Sequence, residues 1–131
     1  MEHGVDLIIL ETFSSTDELI LAASVCKELD KNIPVQAQFT YGILHDKENH
    51  DKVRNSVCKL DKSPYTDIVG INCSAGPADI LASLTAINNC VEKPVSIMPN
   101  AGFPQEVDGR LIYMTSPEYF ATYAKRFSEG G

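Results

Sequence analysis

A cysteine closing a buried strand, followed at once by a glycine-proline turn, is the residue of this chain best placed to do chemistry. In Asp67-Ile-Val-Gly-Ile-Asn-Cys-Ser-Ala-Gly-Pro77 the run Ile68 to Ile71 is short and apolar enough to be an internal strand. Pro77 suits the first position of a following helix. Cys73 therefore falls at the carboxyl end of a strand, where α/β proteins gather ligands and catalysis, and it is a candidate metal ligand. The competing reading is that Cys73 is a small buried hydrophobe in an open α/β binding or scaffold module, since free cysteine is among the most buried residue types. Three other strand ends carry chemically capable pairs: Glu11-Thr12, Phe39-Thr40 and Pro99-Asn100, beside Asn72-Cys73. One rim would thus hold a carboxylate, hydroxyls, amides and a thiol. The histidines add nothing to it. His45 and His50 lie in the charged stretch His45-Asp-Lys-Glu-Asn-His-Asp51, with no adjacent cysteine and no i, i+4 pair, and read as a solvated helix start; His3 is terminal. There is no P-loop, no GxGxxG after a strand and no GxSxG elbow.

The elements that must position this rim repeat one pattern four times: a short apolar run, a turn, then helical spacing. The first strand is expected at Val5 to Leu10, before a capping box, Ser15-Thr-Asp-Glu18, that opens a helix with Leu19, Ala22, Ala23, Cys26 and Leu29 on one face. The second strand is Val35 to Phe39, before a weaker helix from about Asp46 to Leu60 with Val53, Val57 and Leu60 inward. The strand ending at Cys73 leads into a helix of Ala78 to Cys90 with Ile80, Leu81, Leu84 and Ile87 inward. The fourth strand is Val95 to Met98. Val107-Asp-Gly-Arg110 then reads as a tight hairpin, because Asp-Gly tolerates positive φ. Ser116-Pro-Glu118 caps a last helix whose aromatic stripe, Phe120, Tyr123 and Phe127 with Ala124, is expected in the core.

Alternating strands and helices imply a parallel sheet with helical crossovers. An open flavodoxin-like sheet suits the length; part of a (β/α)8 barrel suits a polar set of strand ends on one rim. With 131 residues the chain fits one domain, residues 1–131, with a real core. Eleven Lys and Arg against 18 Asp and Glu give 11 − 18 = −7, with no basic block, which argues against nucleic acid and anionic membrane as partners. No run approaches the ~20 apolar residues of a membrane span, and Met1-Glu-His-Gly is unlike a signal peptide, so a cytoplasmic protein is expected. Cys26, Cys58, Cys73 and Cys90 are scattered singly and expected as reduced thiols, Cys26 and Cys90 in packing roles.

Taken together, Gly4-Val-Asp-Leu-Ile-Ile-Leu-Glu-Thr-Phe13, Gly70-Ile-Asn-Cys-Ser-Ala-Gly-Pro77 and Met98-Pro-Asn-Ala-Gly102 resemble the homocysteine-binding methyltransferase domain. Phe103 to Phe120 looks most like the bacterial type that adds a methylenetetrahydrofolate reductase domain. The resemblance implies α/β architecture as part of a zinc-bearing (β/α)8 barrel, about four consecutive βα units with a parallel sheet, roughly the fourth to the seventh. It implies homocysteine and a methyl donor as partners, methionine as product, and zinc as the cofactor that deprotonates the homocysteine thiol. It makes Cys73 one of three zinc thiolates, the other two belonging to a GGCCG-type strand end that would follow Gly131. Zinc is therefore expected in the complete enzyme and not stoichiometrically on this chain, which is expected to be inactive alone. By the same resemblance Glu11 would bind the homocysteine ammonium and Asn100 would hydrogen-bond near the substrate or zinc ligands. Asn72 would tie strand ends together, Gly76 and Gly102 would admit close backbone approach, and Thr12, Phe13, Phe39 and Thr40 would line the pocket. A barrel cut between strands leaves open edges, so a homo-oligomer is expected.

Overall fold

The computed structural model describes residues 4–41, 47–73, 76–102, 104–113 and 115–130, with side chains at 47–49 excepted. His3, His45, Asp46, Phe103 and the step from Ser74 to Ala75 lie outside the described residues. Four strands, β1 (Ile8–Phe13), β2 (Val35–Phe39), β3 (Ile68–Cys73) and β4 (Val95–Pro99), pair in parallel in the order β1-β2-β3-β4. The crossovers carry α1 (Thr16–Leu29), α2 (Lys47–Asp61) and α3 (Pro77–Ile87). After β4 come an antiparallel hairpin, β5 (Pro104–Val107) and β6 (Arg110–Tyr113), and α4 (Pro117–Glu129).

Two facts decide between the architectures left open above. The strands are sequential neighbours, and a single core cluster joins Leu19 of α1, Val53, Val57 and Leu60 of α2, and Ile80, Leu84 and Ile87 of α3 to Ala37, Phe39, Val69 and Ile71 of the sheet. Those strand residues alternate along β2 and β3 and so share one face. Helices on one face of a parallel sheet in sequential order make part of a βα barrel, not a doubly wound sheet. The other face carries Gln36, Gln38, Gly70, Asn72, Ser96 and Met98 by the same alternation.

Local signals act as the chemistry requires. Ser15 Oγ accepts the Glu18 N–H at 3.4 Å, and Ser116 Oγ accepts the Tyr119 N–H at 3.2 Å, so both helices start at a side-chain cap. Asp108 and Gly109 both take positive φ, 51° and 72°, the backbone of a two-residue hairpin. At the base of the sheet Asp67 Oδ2 accepts from Lys27 Nζ at 2.6 Å and from Val35 N at 2.8 Å, tying α1, β2 and β3 at one point. Burial pushes the Asp67 carboxyl up, but these bonds and the charges of Lys27 and Lys93 outweigh it and hold the group below its ordinary range.

Several expectations are corrected. The first strand runs from Ile8 to Phe13, not Val5 to Leu10, because its pairing with β2 begins at Ile8 opposite Val35. Glu11 is therefore inside a strand. Leu29 is 75% exposed, since the last turn of α1 runs past the strands it covers. The third helix ends at Ile87, which leaves Cys90 in the turn beyond it. The aromatic stripe of α4 is half-buried, not core: Phe120, Tyr123 and Phe127 have chiefly α3 to lie against, and no residue of α4 is fully buried. Cys58 and Cys90 are joined in a disulfide with Cα atoms 5.7 Å apart; Cys26 and Cys73 are the free thiols. The expectation of four reduced thiols fails because the fold brings together two segments 32 residues apart.

Candidate functional site

The carboxyl ends of β1 and β3 are joined through Asn72. This side chain is only 3% exposed, and its amide is used on both sides. Oδ1 accepts the Thr12 N–H at 3.0 Å, while Nδ2 donates to Thr12 Oγ1 at 2.7 Å and to Glu11 Oε2 at 3.2 Å. Asn72 belongs to β3 and Glu11 to β1, so these bonds cross β2 on the sheet's open face. The crossing has a local cause in β1, where pairing to β2 is regular to Leu10 opposite Ala37 and resumes at Phe13 opposite Phe39. Glu11 and Thr12 together oppose Gln38, a bulge that turns the strand end.

Thr12 takes φ 65° and Cys73 takes φ 55°. A β-branched residue in the left-handed region is a backbone outlier, costing about 1–2 kcal/mol, and persists only where neighbours hold it. For Thr12 the holding group is the Asn72 amide, bonded to both its N–H and its hydroxyl. Cys73, the next residue after Asn72, is half-buried, and its Sγ accepts from Asn100 Nδ2 at 3.4 Å. Asn100 follows β4, so the thiol and its donor come from neighbouring strand ends. A half-buried thiol at a rim with a polar partner is not a core hydrophobe.

Below the rim the open face is polar in layers. Gln36 Nε2 reaches across β3 to Ser96 Oγ at 3.1 Å. That reach depends on Gly70, whose absent Cβ would stand 1.9 Å from the Ser96 carbonyl oxygen and 2.9 Å from Gln38 Oε1. Gln38 is fully buried, and neither its Nε2 nor its Oε1 has a hydrogen-bond partner among the described residues. Such groups are scarce in folded proteins. Sequence reasoning missed Gln36, Gln38 and Ser96; the available signal was the polar alternation in Val35-Gln-Ala-Gln-Phe39.

Glu11, Thr12, Asn72, Cys73 and Asn100 thus share one rim. Phe39 does not: its side chain is 1% exposed and packs in the helix-side core, because the alternation along β2 turns it away from the open face. It is removed from the substrate-facing set. Phe13 is half-buried against the same core, and Thr40 gives its N–H to Phe13 O at 2.8 Å. Gly76 and Gly102 meet each other, a Cβ on Gly76 standing 3.8 Å from Gly102 Cα, and Gly102 needs its freedom at φ 87°. Glu11 has no cationic partner among the described residues, leaving an exposed carboxylate anchored through one oxygen.

A catalytic zinc takes three protein ligands and an open position. Among the described residues no group of three His, Cys, Asp or Glu side chains could hold a metal ion. Cys73 alone does not fit that requirement.

Comparison with known proteins places the chain in a family. The family model described as homocysteine S-methyltransferase matches residues 1–131. Homocysteine S-methyltransferase 4 of Zea mays is 30% identical over 99 residues, 76% of this chain and 29% of that protein. Methionine synthases of Mycobacterium leprae and Mycobacterium tuberculosis are 45% and 29% identical over 110 residues, 79% of this chain and 9% of each of theirs. The chain therefore spans under a third of the length of these relatives.

Proposed function

The chain belongs to the homocysteine S-methyltransferase family, and from that premise we propose that its rim binds homocysteine for transfer of a methyl group to the thiol, giving methionine. The observation that supports this most is the anchored carboxylate of Glu11, free of any cation among the described residues and on the same rim as the Cys73 thiol. A carboxylate in that state is suited to the α-ammonium of an amino acid, by a charge-assisted hydrogen bond. Asn72 fixes where that carboxylate sits, since its amide is itself fixed by Thr12 on two sides. Thr12 walls the site. Asn100 gives the Cys73 sulfur a hydrogen-bond donor from the neighbouring strand end.

In our reading the chain corresponds to the fourth to seventh units of the barrel and works in the cytoplasm. Cys73 supplies one zinc thiolate of the complete enzyme, and residues outside 1–131 supply the other two. The chain by itself then binds no stoichiometric zinc and turns over negligibly. The open edges of β1 and β4 pair copies of the isolated chain.

Two measurements test this. Glu11→Gln in the complete enzyme should raise the KM for homocysteine about 10- to 100-fold, the worth of one charge-assisted hydrogen bond, with a smaller effect on kcat. An unchanged KM would remove Glu11 from the ammonium site. Metal analysis of the purified 131-residue chain should find well under one zinc per chain; tight one-to-one binding would sink the one-ligand reading of Cys73.

A further inference from the structure

The disulfide lies far from the chemistry of the rim, at the opposite end of the sheet. Cys58 is in the last turns of α2 and Cys90 is in the turn between α3 and β4. The same junction is held by non-covalent bonds. Asp61, which ends α2, accepts the backbone N–H groups of Glu92 and Lys93 at 3.0 and 2.9 Å. Lys93 Nζ in turn donates to Ser63 O at 2.6 Å and to Thr66 Oγ1 at 3.1 Å. With the bond open, Asp61 and Lys93 still keep the two cysteines within bridging range, for which Cα atoms must lie within about 7 Å. Both cysteines are half-buried, so solvent reaches them. A cleft of about 480 Å³ opens beside Cys90, lined by Asp61, Lys62, Asn88, Asn89, Val91 and Glu92. It is polar and large enough to admit a small peptide thiol.

We propose that Cys58 and Cys90 form a reversible thiol–disulfide exchange site whose co-reactant is a low-molecular-weight disulfide entering the cleft at Cys90. The Cys90 thiolate attacks one sulfur of the incoming disulfide; that S–S bond breaks, one small thiolate leaves, and a mixed disulfide remains on Cys90. The Cys58 thiolate then attacks the Cys90 sulfur and expels the second small thiolate. Two protein thiols are oxidised, one small disulfide is reduced to two thiols, and the two protons lost by the protein end on the departing thiolates. Excess small thiol runs the steps backward. This reconciles the bond with a reducing compartment, where protein disulfides are mostly transient or redox-sensing.

The bond closes a loop from residue 58 to residue 90 that contains all of β3, Cys73 and α3. Closing a loop of that size restricts the unfolded chain, and the oxidised form should melt about 10 °C above the reduced form. Oxidation thus fixes the strand that carries the rim while leaving Cys73 itself a thiol.

The test uses the chain equilibrated with oxidised and reduced glutathione at several ratios, then alkylated and read by mass spectrometry. The expected result is four alkylated cysteines at the reducing end, two (Cys26 and Cys73) with a linked Cys58–Cys90 peptide at the oxidising end, and full interconversion. The Cys58→Ser variant, lacking the second thiol, should retain glutathione on Cys90; Cys90→Ser should carry far less on Cys58. The double serine variant should fold and show no glutathione-dependent change in Tm. Four alkylatable thiols at every ratio would overturn the proposal. So would a linked peptide that reduced glutathione cannot open in the native chain, or glutathione found only on Cys73.

Discussion

Replacing Asn72 by Asp tests the rim most sharply, because the change keeps the shape of the side chain and reverses one interaction. The Oδ1 that accepts the Thr12 N–H at 3.0 Å is retained, and the Thr12 hydroxyl can turn its hydrogen toward the new oxygen. What is lost is the donor to Glu11 Oε2, now replaced by a second carboxylate oxygen at the same 3.2 Å. Two unit charges at that distance repel by about 5 kcal/mol at an effective dielectric of ~20. Glu11 is exposed and can swing outward, so about 2–3 kcal/mol should remain at pH 7, a fall in Tm of roughly 8 °C for a chain of this size. The pair relieves the repulsion by holding a proton, so its apparent folded-state pKa rises above the unfolded values near 4. The sign follows: the folded state binds more protons than the unfolded state, and stability lost at neutral pH returns as pH falls toward about 4. Asn72→Ala removes the bonds to Thr12 and Glu11 and leaves the Thr12 N–H without its side-chain acceptor, at a cost of about 2 kcal/mol that does not change over the same range. Urea denaturation of both variants from pH 4 to 8 reads these outcomes. A deficit of Asn72→Asp that is equal at all pH values would refute the pairing with Glu11. A loss below about 0.5 kcal/mol for Asn72→Ala, within the range of ordinary surface changes, would refute its role as the holder of Thr12.

Gly70→Ala should cost about 3 kcal/mol or more or abolish cooperative unfolding, because the added Cβ meets the Ser96 backbone, which cannot rotate away; an unchanged urea midpoint would contradict this. Asp67, held below its ordinary range, contributes stability that is complete above the unfolded pKa of about 4 and is lost as pH falls through the lower folded value. Asp67→Asn should therefore show a shallower acid limb in Tm against pH, and an unaltered limb would count against the clamp. Burial, first, and the charge of Asp79 raise the Tyr41 pKa against the opposing bond to Ser83, whose Oγ is 2.8 Å from the Tyr41 hydroxyl. Tyr41→Phe should cost about 1 kcal/mol and remove a tyrosine that titrates above the ordinary range from an ultraviolet titration of the native chain. Light scattering should find the isolated chain as an oligomer through its β1 and β4 edges; a stable monomer at high concentration would refute that.

The sequence by itself settled what short-range chemistry settles. Val35 to Phe39 is a strand in both readings because Pro34 precedes an apolar-rich run with no competing helical period. The caps at Ser15 and Ser116 and the Asp108-Gly109 turn depend on residues at most three apart, and they formed as their side chains and φ preferences require. The rim of strand ends was legible too, since every βα unit sends its carboxyl ends to one side. Tertiary structure decided the rest, because those facts are relations between distant residues. The start of β1 is set by its partner, and the exposure of Leu29 and the α4 aromatics by how much neighbour there is to pack on. Phe39 was placed on the rim by its position in the chain and taken off it by the side-chain alternation that turns it toward the helices. The amide bridge from Asn72 to residues 60 and 61 positions away and the disulfide across 32 residues have no local signature. They exist only because four parallel strands in sequential order bring their ends, and the turns beneath them, to the same places.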